Sequence, residues 1–214
     1  MTELVNTLAE FAHSASISHD IERDVTERIL DTLGNSLAGK AESLKLGEKE
    51  PDAAVQRVVQ SWGGPQTSTV IGANGAKLPA TSAALLNGTL AHFLDFDDTH
   101  LPSVLHPSAS IVPAALAVAE ETTASTARLK HAIAVGIEIC NRLGMASYIP
   151  EIRNSLFFEK GFHATSICGT IGAAASAGRA GGAGLPERGG AALPAGSGQA
   201  HGGGSNGHYG YCSR

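Results

Sequence analysis

Hydrophobic positions recur at helical spacing along most of this chain. Thr2–His13 sets Leu4, Val5, Leu8, Phe11 and Ala12 on one helix behind a threonine cap. A second helix starts near Ser18–Asp20, carries Ile21, Val25, Ile29, Leu30, Leu33 and Leu37, and has Gly39 as its expected stop. Asp31 and Thr32 lie beside that stripe and are expected to face solvent. A charged connection leads to a short helix over Pro51–Trp62, with proline in the first turn. The pattern then changes: Thr69-Val70-Ile71 is a β signal and Asn74-Gly75 a turn dipeptide, which together predict a small hairpin. Helical spacing resumes from Thr81 to about Leu94, and again from Pro107 to Glu121 with Pro113 as an interior kink point. Ser125–Met145 is apolar nearly all round and is therefore expected at the centre. A loop containing Tyr148, Pro150 and Asn154 precedes a turn with His163 and a helix of small residues, which would let another helix approach closely. The expected fold is all-α: a helical-bundle domain over residues 1–176 with one small hairpin excursion.

From Gly172 onward the pattern fades. That stretch holds 14 of the chain's 26 glycines, and its only large aliphatics are Leu185 and Leu193. It cannot bury enough apolar surface to offset the entropy of ordering it, so residues 177–214 are expected to form a disordered, Gly-rich tail. A shifted reading frame is an equally physical expectation. Plausible codons for Gly203–Cys212, read one base later, give V-E-A-T-G-T-T-G-T-V, an ordinary globular stretch.

Composition narrows the function classes. The chain is 43% hydrophobic but only 5% aromatic, which favours closely packed Ala-rich helices. Its net charge of −5 and lack of a basic stripe argue against nucleic acid and anionic membrane as partners. Cys140, Cys168 and Cys212 are far apart, with no zinc-finger spacing and an odd count, so no disulfide framework is expected. There is no signal-peptide pattern and no membrane-length apolar run, and a soluble, cytoplasmic protein is the expectation.

The densest chemistry lies in Asn87–Pro107, NGTLAHFLDFDDTHLPSVLHP, with His92, Asp95, Asp97, Asp98, Thr99, His100 and His106. If the preceding helix continued past Leu94, Asp95, Asp98 and Thr99 would share a face. Two carboxylates about 4 Å apart repel by roughly 4 kcal/mol at an effective dielectric near 20, so such a pair needs a proton, a cation or nearby donors. His92, His100, His106 and His163 are the candidate partners, since imidazole titrates nearest neutrality. Three readings fit the spacing. Asp95, Thr99, His106 and His163 could form a cofactor-free proton-transfer site for a small polycarboxylate. The same groups could bind a divalent metal, although DFDDTH matches no metallohydrolase spacing. Or the cluster could cap a helix end, with Asp97, Asp98 and Thr99 as bridges. His13, His19 and His131 read as surface or satisfied core residues.

Several segments together resemble the MmgE/PrpD family, which includes 2-methylcitrate dehydratase and cis-aconitate decarboxylase. They are ILDTLGNSLAG, STVIG with LPATSAALLNGTLAHFLDFDDTH, HPSASIVPAALAVAEE, AIAVGIEICNRLG and KGFHATSICGTIGAAAS, covering Leu4 to Ser176 in order. The resemblance implies the N-terminal part of a large helical domain, in a family whose chains also carry a lid domain. It places Asp95, Thr99 and His106 at active-site positions of the first motif and His163 in the later GFH-T motif, and leaves Asp97, Asp98 and His100 nearer a structural role. It implies a lyase acting on a citrate-like polycarboxylate with no metal and no organic cofactor, in a homodimer. The family's further catalytic lysine and histidine fall beyond the matched stretch. Lys160, His201 and His208 do not stand in matching contexts. A truncated chain of this kind is expected to be weakly active or inactive. The alternative expectation is a non-enzymatic helical remnant or interaction module.

Overall fold

The computed structural model describes residues 2–46 and 51–182. The expected Gly-rich tail beyond residue 182, with His201, His208 and Cys212, lies outside the described residues. The fold is all-α. The described residues form eight helices: α1 (Thr2–Ser14), α2 (His19–Leu44), α3 (Pro51–Ser61), α4 (Ala80–His92), α5 (Ser108–Glu121), α6 (Thr126–Met145), α7 (Leu156–Glu159) and α8 (Ala164–Ala180). Two antiparallel hairpins accompany them, β1 (Ser68–Thr69) with β2 (Lys77–Leu78) and β3 (Tyr148–Ile149) with β4 (Asn154–Ser155). The second hairpin and α7 have no counterpart in the sequence reading; each is shorter than the windows that periodicity can resolve.

The expected central helix is central. α6 starts at an N-cap serine, Ser125, whose Oγ accepts from Arg128 N, and it buries Ile133, Val135, Ile137, Ile139 and Cys140. Its main neighbour is α8, while α5 packs against α4, α6 and α8. Ile111, Val112, Ile133, Cys140 and Cys168 join one core cluster. Burial pushes the Cys140 thiol up to about 12 and the Cys168 thiol to about 11, so neither is a ready nucleophile.

Small residues set the α6–α8 spacing. A Cβ on Gly136 would meet Gly172 O at 2.7 Å and Ser176 Cβ at 2.8 Å; one on Gly172 would meet Gly136 O at 2.6 Å. Gly172, Ser176 and Ala180 are buried in this contact. The helix therefore extends into the stretch from Gly172 that the sequence reading assigned to a featureless tail. Its stabilisation comes from close backbone approach rather than from large aliphatics.

Two expectations for α2 are corrected. Gly39 does not end the helix, which runs on to Leu44; it is buried where α2 meets the backbone carbonyl of Leu90 on α4, and a Cβ there would collide with that oxygen. The buried face is Val25, Thr32, Ser36, Gly39 and Ser43, whereas Leu30 is 64% and Leu37 53% exposed. Thr32 is buried rather than solvated because its hydroxyl donates to Arg28 O within the helix, at 2.7 Å, so burial strands no donor. Asp31 is exposed as expected.

The first hairpin forms where Asn74-Gly75 indicated, with positive φ at both residues (50° and 82°). Asn87 on α4 pins it: its side-chain carbonyl accepts from Ile71 N at 2.9 Å and its amide donates to Thr69 O at 2.9 Å.

Gly136→Val should destabilise the fold by about 2 kcal/mol or more, since every direction for the new side chain meets α8 or Ile111. Gly34→Ala on α2, where nothing lies within 4 Å, should stabilise it by about 0.5–1 kcal/mol. Urea unfolding of both variants checks the pair; equal effects would contradict the close α6–α8 crossing.

Candidate active site

The site is built where α4 ends. The helix stops at His92, Asp95 N donates to His92 O in a tight turn, and Asp95 takes a left-handed φ of 56°, which aspartate tolerates better than bulkier residues. The expectation that Asp95, Asp98 and Thr99 share a helical face is therefore corrected: no helix continues through them. The chain instead loops through a 3-10 turn at Leu101–Ser103 and closes on itself where His100 N donates to Leu105 O at 2.9 Å. His100 belongs to this loop's frame, its Nδ1 lying 2.6 Å from Ser103 Oγ. Burial and the nearby Arg28 charge hold its pKa below the ordinary histidine value.

Asp98 anchors the loop. Its carboxylate pairs with the Arg28 guanidinium from α2 and accepts from Ser108 N at 3.0 Å and Ser108 Oγ at 2.8 Å. Ser108 is the first residue of α5, so the same carboxylate caps that helix. Arg28 lies 70 residues from its partner, and no local pattern could have revealed it.

Asp97 is the buried member of the cluster, its side chain 1% exposed. Both carboxylate oxygens approach His92 Nδ1, at 3.0 and 3.1 Å. That bond lifts the His92 pKa above its ordinary value, against the opposing effect of burial. His106 lies on the other side. Its Nε2 is 3.7 Å from Asp95 Oδ1, and its Nδ1 is 3.7 Å from Asp97 Oδ2 and 3.4 Å from Thr99 Oγ1. Its backbone N donates to Thr165 Oγ1 at 3.0 Å, tying it to α8. The His92 and His106 ring centroids are 5.2 Å apart.

His163 arrives from 57 residues further along the chain, at the N-cap position of α8. Its ring stands edge-on to Phe158, and its centroid is 6.5 Å from that of His92. Burial, reinforced by the positive charge of His92 and His106, lowers its pKa. The four predicted residues are thus brought together: Asp95, Thr99 and His106 directly, and His163 through His92. A groove of about 690 Å³ between α4, α5 and α8 opens beside them, with His92 and His163 on its wall among small residues such as Gly88, Ala109 and Gly169.

His92, Asp95, Asp97 and His106 offer one ligand atom each within 4.8 Å of one another, the right donor types for a divalent cation. However, both Asp97 oxygens are directed at His92 Nδ1, and the two His106 nitrogens face different carboxylates. These contacts describe a hydrogen-bonded proton network. Two histidines with opposite shifts beside unlike carboxylates can separate an acid from a base.

A family model for the MmgE/PrpD N-terminal domain matches residues 6–187. The chain belongs to the MmgE/PrpD family. Its curated relatives include cis-aconitate decarboxylase of Homo sapiens, 31% identical over 186 residues, a match covering 84% of this chain and 36% of the relative. The mouse protein of the same name matches at 31% over the same shares. The cis-aconitate decarboxylase-like protein oryM of Aspergillus oryzae matches at 27%, covering 83% of this chain and 35% of the relative. The chain thus spans about a third of the length of these MmgE/PrpD relatives.

Asp98→Ala removes the α5 cap and leaves a partly buried Arg28 without its partner. It should cost about 2–3 kcal/mol in urea unfolding; a change below about 0.5 kcal/mol would show that the clamp does not hold the loop.

Proposed function

We propose that this chain forms one wall of a lyase site for a small polycarboxylate, either decarboxylating a cis-aconitate-like substrate or dehydrating a 2-methylcitrate-like one. The observation that carries the reading is the placement of His106 between Asp95 and Asp97, with Thr99 at its Nδ1, in a chain whose named relatives are cis-aconitate decarboxylases. Asp95, Thr99, His106 and His163 carry the chemistry. His106 holds or moves the proton, with Asp95 at Nε2 to orient it. Thr99 directs substrate and His163 supplies a second imidazole of lower proton affinity.

In decarboxylation the bond to the departing carboxylate breaks, CO2 leaves, and the electron pair enters the adjoining conjugated system until an imidazolium returns a proton to carbon. In dehydration an imidazole takes the proton from carbon and the hydroxyl leaves as water after protonation. Both need the same acid and base, and neither sequence asks for a metal or an organic cofactor.

Residues 1–176 are read as the N-terminal part of the family's helical domain, residues 177–214 as a tail outside it, and the intact protein as a cytoplasmic homodimer. The opposite wall of the site then lies outside this chain, and a low rate is expected. A second reading, an interaction module, draws support from the exposed apolar side chains Leu30, Leu37 and Leu44 along α2.

Incubating the purified chain with cis-aconitate and measuring CO2 release tests the first reading. Turnover should exceed buffer and fall about 100-fold in His106→Gln. Absence of turnover on both cis-aconitate and 2-methylcitrate, in a chain shown by circular dichroism to be helical, would overturn it.

A further inference from the structure

A polycarboxylate entering the groove beside the cluster must find positive charge. Among the residues lining that groove there is no lysine or arginine; its ionisable side chains are His92 and His163. They differ in setting. His163 has only a hydroxyl at hydrogen-bonding distance, Ser166 Oγ at 3.3 Å from Nδ1. His92 has a buried carboxylate behind it and stands at the last position of α4, where the helix dipole favours a cation. Because both Asp97 oxygens accept from Nδ1, that nitrogen carries a proton and the ring is fixed in one orientation. Nε2 is left with no hydrogen-bond partner among the described residues, on a side chain that is 41% exposed.

We propose that His92 is a substrate-binding residue, gripping one carboxylate of the polycarboxylate through Nε2–H, and that buried Asp97 is the positioning residue that holds it there. The proposal rests on the lyase reading above and assigns to that site a residue pair outside the set Asp95, Thr99, His106 and His163. It also gives Asp97 a task that the helix-capping reading of the cluster did not. The grip needs the cationic ring, and the rise in His92 proton affinity produced by Asp97 favours that form. His163, whose charged form burial disfavours, is left for proton transfer.

The test uses the 214-residue chain with citrate as the probe, observed through the histidine ring nitrogens by 15N NMR and through affinity by calorimetry. Citrate should move the His92 Nε2 resonance. His92→Gln should weaken citrate binding roughly tenfold, the loss of one charge-assisted hydrogen bond. Asp97→Asn should weaken it similarly and also lower the pH midpoint of the His92 ring, a signature that a purely structural aspartate would not produce. The wild-type spectrum alone remains decisive if a variant fails to fold. Citrate binding that moves His106 or His163 but leaves His92 unmoved, with His92→Gln at wild-type affinity, would overturn this inference and leave the lyase reading intact. No citrate binding at millimolar concentration would overturn both.

Discussion

The Asp98 carboxylate takes three donors from two helices far apart in the chain: the Arg28 guanidinium on α2, and the backbone and hydroxyl of Ser108 at the start of α5. A partly buried carboxylate is costly unless its lone pairs are filled, and here they are filled by the groups that must be joined. Everything catalytic in the proposal hangs from that knot. The loop leaving α4 cannot swing away, so Asp95, Asp97 and Thr99 are held near His106. The His106 backbone is in turn fixed to Thr165 on α8. α8 is pressed onto α6 by glycines, and its first turn presents His163. Packing and site geometry are therefore one construction: the close α6–α8 crossing brings a histidine 57 residues downstream to the end of α4.

Within the cluster, burial divides the labour. Asp97 is sealed and accepts from His92; Asp95 is open, 63% exposed, and faces His106. Asp98 is structural, in agreement with the reading that set it apart from Asp95 and Thr99. Asp97 fits neither a helix cap nor a simple surface acid. Its place behind a groove-facing imidazole is the geometry by which a carboxylate fixes a tautomer and raises proton affinity.

Helix periodicity made most of the fold legible. α1, α3, α4, α5 and α6 begin and end within a few residues of the positions that caps, prolines and apolar spacing indicated, and Asn74-Gly75 located the first hairpin. The failures share a cause. Gly39, Gly136 and Gly172 look like helix stops or tail residues in a linear reading, yet each marks a backbone approach that only a distant helix creates. Arg28 was invisible as a partner of Asp98 for the same reason. The site residues were legible through their motifs and residue types, but their relation was not. Helical phase cannot describe a cluster that sits where the helix has ended, and the His92–Asp97 pair, five residues apart across that end, lies on no helical face.

The central claim is that this wall alone can move a proton on a bound polycarboxylate. Incubation with cis-aconitate in deuterium oxide, followed by mass spectrometry of the recovered acid, tests it most directly, because proton exchange at the methylene carbon requires only the imidazoles and not completed turnover. The account predicts deuterium incorporation above buffer with the wild-type chain and none with His106 and His163 both replaced by glutamine. Equal incorporation in the two proteins, or none in either, would contradict it.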